Sequence, residues 1–203
     1  MKITINTSGT TGQMKFVEHE EKNFYKPAEF LCQKWNLTSS DIILNPFPSW
    51  TVANWAFCYY PAKISSCELV NINFKPFTFW DLVNEIRPTI LTMAIGTIRT
   101  LFKLKIPQLT YVRNFSTGSS RIYEKDIFDM KKTKAQNIWN IYGSSECIPP
   151  VLMSKNQFFY DTESVYDVSI LNEKIIVNNS NTQDIMKNNE ILEREIKNKT
   201  WKN

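Results

Sequence analysis

Thr7-Ser8-Gly9-Thr10-Thr11-Gly12-Gln13-Met14-Lys15 follows directly on the apolar alternation Ile3-Thr4-Ile5. It combines hydroxyl side chains, two glycines and a lysine in one short loop behind a strand. Glycines let the backbone curl until its N–H groups converge on an anion. The hydroxyls add donors and the lysine adds a mobile charge. The segment therefore reads as a phosphate cradle, the alternative being a serine/threonine-rich surface turn. It is not a Walker loop, because Gly9 and Gly12 stand too close together and Lys15 does not follow a glycine.

Working outward, glycine is scarce, with 5 in 203 residues against a usual share of about 7%. Besides Gly9 and Gly12, Gly118 and Gly143 fall in two other polar turns, and only Gly96 lies elsewhere. Such sparing use suggests positions that need special backbone angles or close approach of a ligand.

Composition allows one domain, or one with a small appendage. The chain is 42% hydrophobic and 13% aromatic, enough for a real core, and its net charge of +4 is dispersed. Nothing here calls for a nucleic-acid partner. Lys131, Lys132 and Lys134 read as a solvated helix end. Cys32, Cys58, Cys67 and Cys147 form no CxxC pair, and His19 is the only histidine, which argues against a Cys/His zinc site. Scattered thiols suggest a reducing compartment. No apolar run reaches the roughly 18 residues of a membrane span, and no leader pattern is visible. The expectation is a soluble cytoplasmic protein without a membrane span.

Strand patterns occur at 2–6, 41–45, 67–72, 88–93, 110–115 and 136–141, with amphipathic helical patterns at 24–37, 52–60, 77–86, 97–104 and 123–131. This alternation predicts an α/β fold, a mostly parallel sheet flanked by helices. Ligands of such sheets bind at the carboxyl ends of the strands. Beyond 146 the pattern changes to short alternating runs at 157–162, 167–171 and 174–178, with Asn172-Glu173 as a tight turn and 178–181 as a polar loop. These predict a small antiparallel or barrel-like β segment. The division is residues 1–150 for the nucleotide-binding core and 151–203 for the small β part with its charged tail.

Two further turns follow strands: Phe115-Ser116-Thr117-Gly118-Ser119-Ser120 and Ile141-Tyr142-Gly143-Ser144-Ser145-Glu146. A tyrosine offers an aromatic face, a small hydroxyl a donor to phosphate, and a carboxylate an oxygen ligand for Mg²⁺. Together with the first loop they describe a site for a nucleoside triphosphate and its metal.

The combination resembles the adenylate-forming superfamily of acyl- and aryl-CoA synthetases, peptide-synthetase adenylation domains and luciferases. The family loop [ST]SGTTGxPKG with its following V-x-H is matched by TSGTTGQMK-FVEH, with Met14 for proline, Phe16 for glycine and His19 on the family histidine. YGxTE appears as Tyr142-Gly143-Ser144-Ser145-Glu146. Thr117-Gly118-Ser119 stands for the family's GGA, one glycine short, and Pro46-Phe47-Pro48-Ser49-Trp50 for its PLFH, without the histidine. Near the end, Asn181-Thr182-Gln183-Asp184 resembles TGD and Glu193-Arg194-Glu195-Ile196-Lys197 the hinge GRxK, both lacking their glycines. A charged solvated helix or hairpin is the competing reading of that last part.

The resemblance implies that ATP and Mg²⁺ activate a carboxylic acid as an acyl-adenylate. Thr7, Ser8, Gly9, Thr10, Thr11 and Gly12 are then the phosphate cradle, and Lys15 neutralises departing pyrophosphate. Ser145 touches the α-phosphate and Glu146 binds Mg²⁺. Tyr142 and Gly143 flank adenine on one side, Gly118 and Ser119 on the other. Asp184 takes the ribose of ATP or AMP, Arg194 belongs to the hinge, and His19 is the motif histidine. Trp50, Trp55 and Phe115 line the acid pocket, although the tryptophans also suit a core. Coenzyme A or a carrier-protein thiol is the implied acceptor. The resemblance also implies a longer N-terminal subdomain and a C-terminal domain with a catalytic lysine, neither matched in this chain. Hence the alternative of a nucleotide-binding module without full turnover, and the expectation of a homo-oligomer or partner chain. Cys147 lacks a neighbouring histidine base and is discounted as a nucleophile.

Overall fold

Alternate residues of the central strands face two different apolar layers, and this alternation builds the molecule. The computed structural model describes residues 1–7, 15–160, 163–178, 180–187 and 190–194. Its main sheet has the strand order β4-β3-β5-β6-β7-β8, from β3 (Ile42–Asn45), β4 (Glu68–Asn71), β5 (Ile90–Ala94), β6 (Asn114–Gly118), β7 (Asn137–Tyr142) and β8 (Leu152–Lys155). All neighbours are parallel except β7 and β8. Leu44, Leu91, Met93, Phe115 and Ile138 point to one side, where α3 (Phe79–Ile86), α4 (Ile95–Leu104) and α5 (Glu124–Lys131) cover them. Ile43, Ile90, Trp139, Ile141 and Met153 point to the other, beneath α1 (Tyr25–Trp35) and α2 (Tyr60–Ser65). Each such fully buried side chain contributes about 1.5–3 kcal/mol of transfer free energy.

Helix ends follow local chemistry. α1 and α3 stop where Asn36 and Arg87 turn left-handed, their N–H groups capping carbonyls of the last turn. The pattern at 52–60 predicts one helix. The chain instead forms a π-helical turn, Asn54–Tyr59, and restarts as α2 with Pro61 in its first turn. Proline has no N–H to continue the earlier ladder, but it is at home where a helix begins.

The first strand corrects the simple alternation. β1 (Lys2–Thr7) does not join the main sheet but pairs antiparallel with β2 (Lys15–Glu20). A strand that returns after a short loop can pair only antiparallel with the one it left. The tip, 8–14, lies outside the described residues, and with it the readings of Ser8, Gly9, Thr10, Thr11 and Gly12.

The terminal β part is a four-stranded antiparallel sheet, β12-β11-β10-β9, from β9 (Val168–Leu171), β10 (Lys174–Val177), β11 (Ser180–Lys187) and β12 (Glu190–Arg194). Asn172 and Glu173, at φ 50° and 63°, make the tight turn between β9 and β10. The strand expected at 157–162 lies earlier, as β8, which ends where Asn156 adopts φ 62°. The main sheet therefore runs past residue 150. Ser180 already belongs to β11, so the polar loop at 178–181 is shorter than expected.

Candidate nucleotide site

The hairpin carrying the cradle is anchored from below. Ile3 and Ile5 pack with Phe24, Ala28, Ala56, Tyr60 and Ile148, and the Asn6 N–H donates to the Trp50 carbonyl at 2.9 Å. Thr7 pairs with Lys15 at the mouth of the loop. On β2, the His19 ring meets Phe24 edge-on at 5.8 Å, and its Nε2 lies 2.6 Å from the Ser145 carbonyl. A carbonyl only accepts, so the Nε2–H donates. The end of the first hairpin away from its loop, where His19 pairs with Ile3, is thus in direct contact with the Tyr142–Glu146 turn.

That turn is built by closure. The Ser144 N–H donates to the Cys147 carbonyl at 3.2 Å, and the Cys147 N–H to the Ser144 hydroxyl at 3.2 Å. Ser145 and Glu146 form its tip, with Glu146 exposed. Gly143 is needed because a Cβ there would come within 2.5 Å of the Pro149 Cβ and 2.9 Å of its Cα. Gly118, at the carboxyl end of β6, would meet the Ile141 carbonyl oxygen at 2.3 Å. Neither needs a positive φ. Close packing of the chain on itself explains both, rather than special angles. Ser119 carries the left-handed backbone instead, at φ 79°.

Tyr142 ends β7, and its hydroxyl donates to Asp184 Oδ2 on β11 at 2.5 Å. Both are buried. Burial above all, and the Asp184 carboxylate next, push the phenol well above its ordinary range. Arg194 sits opposite Asp184 across β11 and β12. Arg121, just after the β6 turn, reaches Glu190 at 3.8 Å and the Tyr123 ring at 5.0 Å. The turns after β6 and β7 and the small sheet therefore share one edge of the molecule. Thr117, last before Gly118, has a buried hydroxyl with no partner among the described residues.

The named acid-pocket residues are not gathered in one place. Phe115 is wholly enclosed in the layer beneath α3, α4 and α5. Trp55 packs in the hairpin's cluster against Tyr59 and Tyr60. Trp50 is 55% exposed. A separate cleft of about 270 Å³, lined by Phe74, Pro76, Gly96, Thr97, Thr100 and Leu101, holds none of the residues assigned to the nucleotide or acid site from the sequence. Among the described residues, no group of three or more His, Cys, Asp or Glu side chains forms a metal site. No described helix is long and apolar enough to cross a membrane.

Sequence reasoning missed the partners of His19 and Tyr142 and the link from Arg121 to Glu190. Those contacts join residues far apart in sequence, 126 positions for His19 and Ser145, and no local pattern announces them.

The family model for AMP-binding enzymes matches residues 3–191. The chain belongs to that family. No curated protein matches it significantly. Among solved structures, the O-succinylbenzoate coenzyme A synthetase MenE of Bacillus subtilis, in complex with AMP, is 15% identical with a TM-score of 0.78. That match covers 95% of this chain and 49% of the synthetase. The N-terminal domain of FACL13 from Mycobacterium tuberculosis is 18% identical, with a TM-score of 0.70, over 89% of this chain and 50% of that one. McyG A-PCP, complexed with phenylalanyl-adenylate, is 15% identical with a TM-score of 0.76, over 95% and 46%. This family member thus spans about half the length of the structures it resembles, and the fold it shares with them is that of the mixed sheet and its flanking helices.

Proposed function

We propose that the chain binds ATP with Mg²⁺ and activates a carboxylic acid as an acyl-adenylate. The observation that carries this reading is the His19–Ser145 contact, 2.6 Å long, which ties the hairpin that bears the cradle, at the end away from its loop, to the turn bearing Ser145 and Glu146. Polyphosphate and a metal carboxylate are required side by side, and these are the two segments the sequence nominates for them. The buried, unpartnered Thr117 hydroxyl and the exposed Glu146 both suit a polar ligand at the strand ends.

In this reading Lys15 and the loop donors hold the β- and γ-phosphates. Glu146 supplies an oxygen to magnesium, whose charge, when bound, offsets that of the phosphates. Ser145 contacts the α-phosphate, Asp184 the ribose, and Tyr142 with Gly118 and Ser119 the adenosine. The acid's carboxylate attacks the α-phosphate and pyrophosphate leaves. Catalysis is positioning plus charge stabilisation. Trp50 and Trp55 belong to the acid's approach. Coenzyme A or a carrier-protein thiol serves as acceptor, in a cytoplasmic setting that suits four free thiols. The small sheet acts as a unit following the core. Exposed apolar side chains such as Phe77, 87% accessible, favour a homo-oligomer or partner chain, which sedimentation at micromolar concentration tests.

The deciding experiment is acid-dependent exchange of labelled pyrophosphate into ATP. Lys15→Ala and Glu146→Ala are each expected to lower exchange about a hundredfold. Exchange untouched by both substitutions removes the site assignment. ATP binding without exchange instead favours a nucleotide-binding module that acts with a partner.

A further inference from the structure

Tyr142 is only 8% exposed, its ring packed among Val151, Leu152, Tyr160 and Ile175. Its hydroxyl leaves that cluster to meet Asp184, itself 7% exposed, on a strand of the other sheet. Asp184 is also located from its backbone. Its N–H donates to the Thr182 hydroxyl at 3.3 Å, and that hydroxyl donates to the Ile175 carbonyl at 3.0 Å. The register of the small sheet thus sets where Asp184 stands, and the phenol of the main sheet sets how its carboxylate is turned. A carboxylate bridging two vicinal hydroxyls must keep its plane fixed, because a diol offers its donors along defined directions.

We propose that Tyr142 is a positioning residue whose hydroxyl orients the Asp184 carboxylate toward a nucleotide's ribose diol. This rests on the nucleotide reading above and adds a role for the hydroxyl that an aromatic wall for adenine does not need. Phenylalanine at 142 keeps the ring and loses only the donor.

The test measures binding of ATP and of 2′,3′-dideoxy-ATP to the full chain by calorimetry, with thermal melts to establish folding. Wild type is expected to prefer ATP. Tyr142→Phe should cut that preference by about tenfold, the scale of a hydrogen bond to a charged group. Asp184→Asn should cut it as well, and the double variant should lose no more than Asp184→Asn alone. A folded Tyr142→Phe protein with the wild-type preference overturns the proposal, as does a double variant whose losses add. If Tyr142→Phe does not fold, Asp184→Glu takes its place, since it keeps the charge but moves it away from the phenol. Loss of preference there supports the proposal and retention overturns it. A wild-type protein that binds neither nucleotide overturns the nucleotide reading itself, and this inference with it.

Discussion

Glycine shows at the residue scale how one amino acid answers different demands. Gly118 and Gly143 face backbone or proline atoms well inside contact distance, whereas Gly96 in α4 has nothing within 4 Å of its missing Cβ. Gly118→Ala must push against the Ile141 carbonyl, which the sheet holds in place. It should cost about 2–3 kcal/mol, the range of an overpacked site. Gly96→Ala meets open space and gains helix propensity, so it should stabilise by up to about 1 kcal/mol. Urea unfolding of the two variants is expected to show opposite signs. Both site glycines were legible in the sequence as positions under constraint. The cause was not, because it lies in Ile141 and Pro149, which arrive from other parts of the chain.

Strands were legible where their residues form an apolar run, not in proportion to their burial: half-exposed β4 falls within the pattern at 67–72, whereas buried β8 has no pattern of its own. β5 is a largely apolar run because helices cover both faces of a parallel sheet, whereas β6, Asn114-Phe115-Ser116-Thr117-Gly118, is buried but mostly polar and begins later than the run at 110–115 suggests. β2 escaped because Lys15-Phe16-Val17-Glu18-His19-Glu20 is half charged, as suits a hairpin with one wet face. β8 is four residues long and was masked by the aromatic run after it. Between elements, the main electrostatic staple sits at the start of β3. Asp41 is buried and accepts from Arg113 at 2.5 Å, from the Thr89 hydroxyl at 2.6 Å and from the Thr38 N–H at 2.8 Å. Burial raises its pKa more than any single partner lowers it, but Arg113, Thr89 and Thr38 together hold the carboxyl below the ordinary range. A carboxyl depressed in the folded state adds stability above its unfolded value of about 3.9, and loses it as pH falls through the native value. Asp41→Ala should therefore cost about 3 kcal/mol at pH 7, leaving Arg113 its bond to the Trp35 carbonyl but no carboxylate. Its penalty should shrink below about pH 4, which urea titrations at pH 7 and pH 3 will register.

Across the whole molecule, one apolar seam joins the two sheets. Tyr142, Val151 and Leu152 from the main sheet and its edge meet Tyr160, Ile175, Val177 and Met186. Ile175 of β10 is the seam's wholly buried member. The seam fixes where Asp184 lies relative to the ends of β6 and β7, so its packing is part of the site although none of its aliphatic members carries chemistry. Ile175→Ala removes three methyl or methylene groups from this contact and should cost about 2–5 kcal/mol. The loss should be local, because the layers on either side of the main sheet do not include Ile175. Hydrogen exchange is therefore expected to speed up in β9 to β12 and at Tyr142 while β5 and β6 keep their protection. Equal loss of protection in all strands would instead mean that the two sheets open as one unit. In that case the small sheet is part of the same cooperative core, and Asp184 is positioned by global folding rather than by the seam.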